Sequence, residues 1–178
     1  MASGKRGLDL RHLVIFTMLG SLLFLSKQVL ELLPNVELVS SLVMVYTLVY
    51  RRRALLPIFL FILMEGVLWG FSSWWVPYLW LWPILWAMTM ALPKRMPSWL
   101  CIPVYAGLCA LFGLLYGSLY APWQAALYLG WDLKKTLAWI VAGLPWDIVH
   151  AVGNLALGTL ILPLRELLQS LEGRVIRS

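Results

Sequence analysis

The last long apolar segment of the chain contains the stretch Gly143–Asn154, with the sequence GLPWDIVHAVGN. This stretch carries an acid, an imidazole and a carboxamide among apolar neighbours. On a helix, Asp147, His150 and Asn154 have the spacing i, i+3, i+7, so their side chains point the same way. Polar groups at membrane depth are costly and normally face a cavity or another helix. The stretch therefore predicts a membrane-spanning helix with its polar face turned into a helix bundle.

The composition of the whole chain is that of a polytopic membrane protein. Of its 178 residues, 62% are hydrophobic and only 12% are charged, and the mean hydropathy is +0.84. Helices satisfy their own backbone groups in lipid, so we expect an all-α integral membrane protein. The net charge of +6 does not indicate a nucleic-acid partner, because the basic residues lie in short connections between apolar segments.

Six apolar segments predict six transmembrane helices in a single domain covering residues 1–178. Their approximate bounds are 11–32, 36–50, 54–72, 75–92, 98–120 and 133–164. Gly143 and Pro145 predict a break in the last helix, at 143–145. With the N-terminus in the cytoplasm, eleven of the fourteen basic residues fall on the inner side. This bias predicts that both termini are cytoplasmic.

An aromatic stripe follows one side of the predicted fourth helix. Trp75, Tyr78, Trp82 and Trp86 have the spacing i, i+3, i+7, i+11. Tryptophan and tyrosine normally form a belt at the membrane interface, but Trp82 and Trp86 lie too deep for that belt. The stripe is typical either of plain helix packing or of a wall that stacks on a flat ring.

Glu65 is the only charged residue in the middle of the third apolar segment. A lone carboxylate at membrane depth needs a partner or a functional cavity. The two candidate partners are His150 and a cationic or NH-rich ligand. Asp147 has a simpler interpretation, because it could pair with His150 or cap the helix near Pro145. Lys27 and Glu31 are spaced i, i+4 and are expected to neutralise each other.

Small residues predict two close helix contacts. In the first apolar segment, Thr17 and Ser21 form a small-xxx-small pair beside Gly20. Such spacing lets another helix approach, which could be a neighbouring span or a separate subunit. In the fifth segment, Gly113 and Gly117 continue a stripe of small residues.

Motifs of enzymes are missing from the sequence. It has no HExxH, no Gly-x-Ser-x-Gly and no phosphate-binding glycine loop. We therefore expect no catalytic residue, no cofactor and no metal site. A transporter that powers itself usually has more spans and internal repeats, so a chain of this size is expected to depend on partners.

Five stretches carry a likeness to a known family: Leu33–Val39, Tyr46–Val49, Glu65–Phe71, Trp74–Tyr78 and Gly143–His150. Through them the chain resembles the substrate-binding S components of energy-coupling factor (ECF) transporters. The resemblance implies a six-helix bundle in the bacterial cytoplasmic membrane that captures a vitamin or related micronutrient from outside. It also implies docking on a transmembrane coupling subunit and two ATPase subunits, with small residues of the first helix at the docking face.

Combined with this resemblance, the polar and aromatic residues predict a site for a small, flat, nitrogen-rich ligand. The excess of carboxylates over cations favours a cationic or donor-rich one. The expected ligand-binding residues are Glu31, Asn35, Glu37, Glu65, Trp69, Trp75, Tyr78, Trp82, Trp131, Trp139, Asp147, His150 and Asn154. The expected docking residues are Thr17, Gly20 and Ser21.

Two other classes of protein are alternatives. One is a six-span scaffold such as the rod-shape-determining membrane protein of the cell-wall elongation machinery. A flat apolar groove would favour that scaffold, whereas a buried polar cavity would favour the importer. The other is an intramembrane enzyme that uses Asp147 and His150.

Overall fold

The computed structural model describes residues 10–30 and 36–177, and all regular elements in these residues are helical. The prediction of an all-α protein is therefore confirmed. The α-helices are α1 (Leu10–Leu30), α2 (Val39–Tyr50), α3 (Leu55–Trp69), α4 (Tyr78–Met90), α5 (Ser98–Gln124), α6 (Leu133–Gly158) and α7 (Ile161–Arg177). A 3-10 turn, Arg51–Ala54, joins α2 to α3, and a π-helical turn, Ala125–Leu129, extends α5.

Three of these helices are long and apolar enough to cross a membrane: α1, α6, and α5 with its extension to Leu129. Large apolar side chains such as Leu13 and Met18 of α1 and Val152 of α6 are exposed, as expected for surfaces that contact lipid. By contrast, α2, α3 and α4 have 12, 15 and 13 residues. A helix that crosses a bilayer takes about 20 residues. Six crossings therefore stay a prediction.

Helix α2 lies at the centre of the bundle. Each of its residues from Val39 to Thr47 is buried, so neighbours surround it on all sides. It contacts α1, α4, α6 and α7 along its length. Tyr46 donates its hydroxyl hydrogen bond to the Leu19 carbonyl oxygen of α1 at 3.2 Å. A short helix can hold this place because most of its buried side chains are apolar and its buried hydroxyls have partners: Ser40 bonds Glu37, Ser41 contacts the Cys109 thiol, and Thr47 donates to the Val43 carbonyl oxygen.

Helices α5 and α6 form the most extensive pairing in the fold. Small residues bring the two backbones together: a Cβ built on Gly113 would lie 3.0 Å from the backbone of Ala151, and one built on Gly158 would lie 2.7 Å from the Cα atom of Ala106. The glycine stripe of the fifth segment therefore packs against α6.

The last apolar segment differs from the prediction. Helix α6 runs without a break through Gly143 and Pro145, so the predicted break at 143–145 is wrong. Proline removes one backbone hydrogen bond, but a helix held along its side by a neighbour tolerates that loss. The chain turns instead at Thr159 and Leu160, and residues 161–164 belong to α7 rather than to the sixth span.

Helix α7 covers the end of the bundle that holds Tyr50, at the C-terminal end of α2. Its first residue, Ile161, is fully buried, and Arg165 donates a hydrogen bond to the Tyr105 hydroxyl at 3.1 Å. Further along, burial raises the pKa of the Glu172 carboxyl, while nearby basic side chains and a hydrogen bond from Tyr50 oppose the rise.

The small residues of α1 lie mainly against α3. A Cβ on Gly20 would meet the Leu60 side chain at 2.8 Å and the Pro57 carbonyl oxygen at 3.0 Å, and Ser21 contacts Met64. Of the three residues expected to dock a partner, Gly20 and Ser21 thus pack within the chain. Only Thr17 lies on the exposed side of α1.

The α5–α6 contact provides a first prediction. Gly158→Ala places a methyl group against backbone that cannot move aside, so we expect a loss of about 1–3 kcal/mol in stability. Gly143→Ala is the matched control, because a Cβ there has no neighbour within 4 Å. Alanine is also the better helix former by about 1 kcal/mol, so the control should be neutral or stabilising. Thermal unfolding in detergent measures both, and equal unfolding temperatures would contradict the packing.

Candidate ligand cavity

A cavity of about 400 Å³ opens between the ends of several helices. This volume is in the range of sites for small organic ligands. The C-terminal ends of α1 and α3 and the beginnings of α2 and α4 meet there, and α5 and α6 each contribute one side chain from further along the helix. The lining residues are Lys27, Gln28, Leu30, Val36, Glu37, Val39, Glu65, Trp69, Trp74, Tyr78, Trp82, Tyr116 and His150.

Aromatic rings form one wall of the cavity. Tyr78 packs edge-to-face against both Trp74 and Trp82, with ring centroids 5.6 Å apart in each pair. Tyr116 of α5 continues this wall, 6.3 Å from Trp82. The indole N–H of Trp82 is buried and finds no acceptor within residues 10–30 and 36–177. Such a wall offers flat surfaces for stacking and one donor without a partner.

The turn between α3 and α4, residues 70–77, holds this wall in place without any charged residue. It begins at Gly70, whose φ of +90° is a conformation that other residues rarely adopt. Trp75 donates its indole hydrogen bond to the Ile62 carbonyl oxygen at 2.7 Å. Trp123 of α5 donates to the Ser73 carbonyl oxygen at 2.6 Å. These bonds fasten the turn to α3 and α5, and they explain why Trp75 itself is not in the cavity lining.

An ion pair between α1 and α3 forms the second wall. The Lys27 ammonium contacts the carboxylate of Glu65, which is fully buried, whereas the Lys27 side chain is 32% exposed. Gln28 donates a longer hydrogen bond, 3.4 Å, to the other oxygen of Glu65. The same ammonium lies over the rings of Trp74 and Tyr78, 5.6 and 5.4 Å from their centroids. This carboxylate therefore has a cation from within the chain.

A second polar pair joins α6 to the beginning of α2. His150 Nε2 lies 3.2 Å from Glu37 Oε1. The Glu37 carboxylate also accepts hydrogen bonds from the backbone N–H of Ser40, at 2.9 Å, and from the Ser40 hydroxyl. It thus caps the first turn of α2, where backbone N–H groups lack helical partners. Tyr116 packs edge-to-face against the His150 ring at 5.0 Å.

The structure brings six of the expected binding residues into the cavity lining: Glu37, Glu65, Trp69, Tyr78, Trp82 and His150. Five others, Trp75, Trp131, Trp139, Asp147 and Asn154, do not line it. Glu31 and Asn35 lie outside the described residues.

Asp147 and Asn154 lie against α5 instead of the cavity. The Gly117 N–H donates to Asp147 Oδ1 at 3.1 Å, and Asn154 donates to the Cys109 carbonyl oxygen at 3.1 Å. Asp147, His150 and Asn154 share one face of α6, as predicted. The glycines of α5 bring its backbone over the two ends of that face, so only His150 reaches the cavity.

Two of the expected aromatic residues lie nearer the turn between α5 and α6. Trp139 stacks on Tyr120, with ring centroids 6.2 Å apart. Trp131 is 70% exposed and has a positive φ of 59°. Seven lining residues were not among the expected ligand-binding residues: Lys27, Gln28, Leu30, Val36, Val39, Trp74 and Tyr116. Tyr116 is the one that comes from α5. Its spacing of i+3 from Gly113 places it on the small-residue face of α5, which is the sequence signal that identifies it.

Metal ligation receives no support within residues 10–30 and 36–177, where no three His, Cys, Asp or Glu side chains form a group able to hold a metal ion. Cys101 and Cys109 are both free and buried. Comparisons with family models, with curated proteins and with solved structures found no match to the chain. The case for a function therefore depends on the geometry of the cavity.

The Lys27–Glu65 pair provides a second prediction. Lys27→Met leaves a buried carboxylate without its cation. We expect the free energy of unfolding to fall by about 3 kcal/mol, the lower end of the range for breaking a buried ion pair. Glu65→Gln should cost less, because the partly exposed Lys27 can turn to water. The double variant should recover part of the loss from Lys27→Met. Unfolding in detergent tests this order, and a larger loss for Glu65→Gln than for Lys27→Met would contradict it.

Proposed function

We propose that this chain binds a small, flat, nitrogen-rich micronutrient in the cavity and delivers it as the S component of an ECF-type importer. The observation that carries the proposal is the cavity itself. It combines a wall of four aromatic rings, two carboxylates, a lysine and a histidine in a volume suited to a vitamin-sized molecule. The deeper parts of this lining are buried, as expected of a site that encloses its ligand.

The proposal includes six membrane crossings in the bacterial cytoplasmic membrane, with both termini inside. The cavity lies where α1 and α3 end and where α2 and α4 begin. In the proposed orientation these ends are on the outer side of the membrane. A ligand would therefore enter from outside, as uptake requires.

The energy for uptake would come from partner subunits, a transmembrane coupling subunit and two ATPases. The chain itself has no phosphate-binding motif. The partners would contact the lipid-facing sides of the helices, because Gly20 already packs against α3. The exposed apolar side of α1, which includes Thr17 and Met18, is available for such a contact.

A membrane scaffold protein is the alternative from another class. A scaffold binds other proteins over a flat apolar surface and has no need for a cavity lined by the Lys27–Glu65 ion pair and the His150–Glu37 contact. The lining of the cavity therefore favours the importer. An intramembrane hydrolase using Asp147 and His150 is less well supported, because these two side chains have separate partners, Gly117 and Glu37.

The most direct test is native mass spectrometry of the protein purified in detergent. We expect a co-purified small molecule, together with quenching of tryptophan fluorescence by members of a vitamin panel. The absence of any bound molecule and of any quenching across the panel would overturn the proposal.

A third prediction compares two exposed tryptophans. Trp69 is 57% exposed yet lines the cavity, and Trp131 is 70% exposed and lies away from it. Trp69→Ala should weaken ligand binding about fivefold to tenfold, which corresponds to the loss of about 1–1.4 kcal/mol of aromatic contact. Trp131→Ala is the control and should keep the affinity. Equal effects of both changes on the dissociation constant would contradict the assignment of the cavity.

A further inference from the structure

The Lys27 ammonium lies inside a cage of groups that recognise cations. The cage consists of the Glu65 carboxylate and the faces of Trp74 and Tyr78, whose centroids are 5.6 and 5.4 Å from the nitrogen. A carboxylate beside aromatic faces is the arrangement by which proteins bind organic ammonium ions. We propose that this cage is the binding site for a flat organic monocation and that Lys27 is an internal occupant, which the cation of the ligand displaces. The inference rests on the proposed function, because it concerns the same cavity.

The aromatic part of the cage is held by contacts that do not involve Lys27. Trp74 and Tyr78 pack on each other at 5.6 Å, and Phe61 stacks on Tyr78 at 6.3 Å. The Trp74 carbonyl oxygen accepts a hydrogen bond from the Tyr120 hydroxyl at 3.5 Å. Lys27 alone comes from α1, where it lies in the last turn.

Lys27 is also the member of the pair that can leave. Its side chain is 32% exposed, whereas Glu65 is fully buried. A lysine side chain is a flexible four-carbon stem with a compact, strongly hydrated charge, so its ammonium can move to water. The buried Glu65 carboxylate cannot move to water in this way, and leaving it without a cation would strongly destabilise the fold. A ligand that takes the place of Lys27 must therefore carry a positive charge.

The second carboxylate of the cavity does not offer the same exchange. Glu37 accepts hydrogen bonds from the backbone and hydroxyl of Ser40 and contacts His150. These groups are held by α2 and α6 and have no flexible stem. An anionic ligand would meet both carboxylates and only one mobile cation, so the charges of the cavity disfavour it. Exchange of one cation for another at Glu65 keeps the cavity charge unchanged and moves no proton.

The test uses N-methylpyridinium as a flat monocation, with toluene as its neutral isostere and benzoate as an anion of similar size. Binding is measured by calorimetry on the full chain in detergent. Removal of the competitor in Lys27→Met should tighten N-methylpyridinium binding at least tenfold over the unmodified protein. Lys27→Arg keeps a competing cation and should show no such gain. In Glu65→Gln, the preference for N-methylpyridinium over toluene should be lost.

Weaker N-methylpyridinium binding in Lys27→Met would overturn the inference, because Lys27 would then hold the ligand rather than compete with it. Unchanged binding would also overturn it, since the cation would then not enter the cage. Tighter binding of benzoate than of the cation would reverse the assigned charge of the ligand.

A measurement on the unmodified protein covers the case in which Lys27→Met fails to fold. An amine-reactive ester acetylates lysines, and mass spectrometry reports the rate at each one. Saturating N-methylpyridinium should speed the acetylation of Lys27 at least threefold, because displacement exposes its ammonium. The exposed Lys134 and Lys135 are internal controls and should not change. Slower or unchanged labelling of Lys27 would overturn the inference.

The two proposals fail in different ways. A protein that retains a co-purified micronutrient, yet shows no gain for the cation in Lys27→Met, would keep the proposed function and lose the exchange at the cage. A protein that binds no nutrient, yet gains affinity for the cation in that variant, would keep the cage and lose the importer.

Discussion

The buried carboxylate of Glu65 is the interaction on which the cavity depends. A carboxylate removed from water needs a cation and hydrogen-bond donors close by. Lys27 and Gln28 supply them from the last turns of α1. They can reach Glu65 because Gly20, two turns earlier, lets α1 lie directly on α3. Close packing in the middle of α1 and the ion pair at its end therefore fix the same helix pair, and together they set the position of one cavity wall.

The central helix, α2, determines the polar groups on the other side of the cavity. Because Val39, Ser40 and Ser41 are buried, the backbone N–H groups of the first turn of α2 need a capping group from the protein. Glu37 fills this role by accepting hydrogen bonds from Ser40, and its carboxylate also contacts the imidazole of His150 on α6. A requirement of helix capping thus brings a carboxylate and an imidazole into the cavity. The burial of α2 and the polar lining of the site are consequences of the same arrangement.

Sequence patterns predicted the helical class well, since apolar composition and local spacing determine it. They could not predict which groups pair across the bundle. Lys27 has a local candidate, Glu31, at i+4, but its ammonium reaches Glu65, which is 38 residues away. The face of α6 was predicted correctly, yet Asp147 lies against Gly117 because the glycines of α5 permit that approach. Spacing along one helix gives the direction of a side chain, whereas the partner depends on the neighbouring helix.

The two carboxylates of the cavity differ in how readily their partners can be replaced, and the difference follows from the groups that hold them. Glu37 is held by a backbone N–H, a hydroxyl and an imidazole, each on a short side chain or on the helix itself. Glu65 is held mainly by a long, partly exposed lysine. An arriving ligand can replace only a donor that has somewhere to go, because each buried carboxylate must stay compensated throughout. In the proposed exchange the ligand therefore takes a partner from Glu65, whereas the partners of Glu37 join the beginning of α2 to α6.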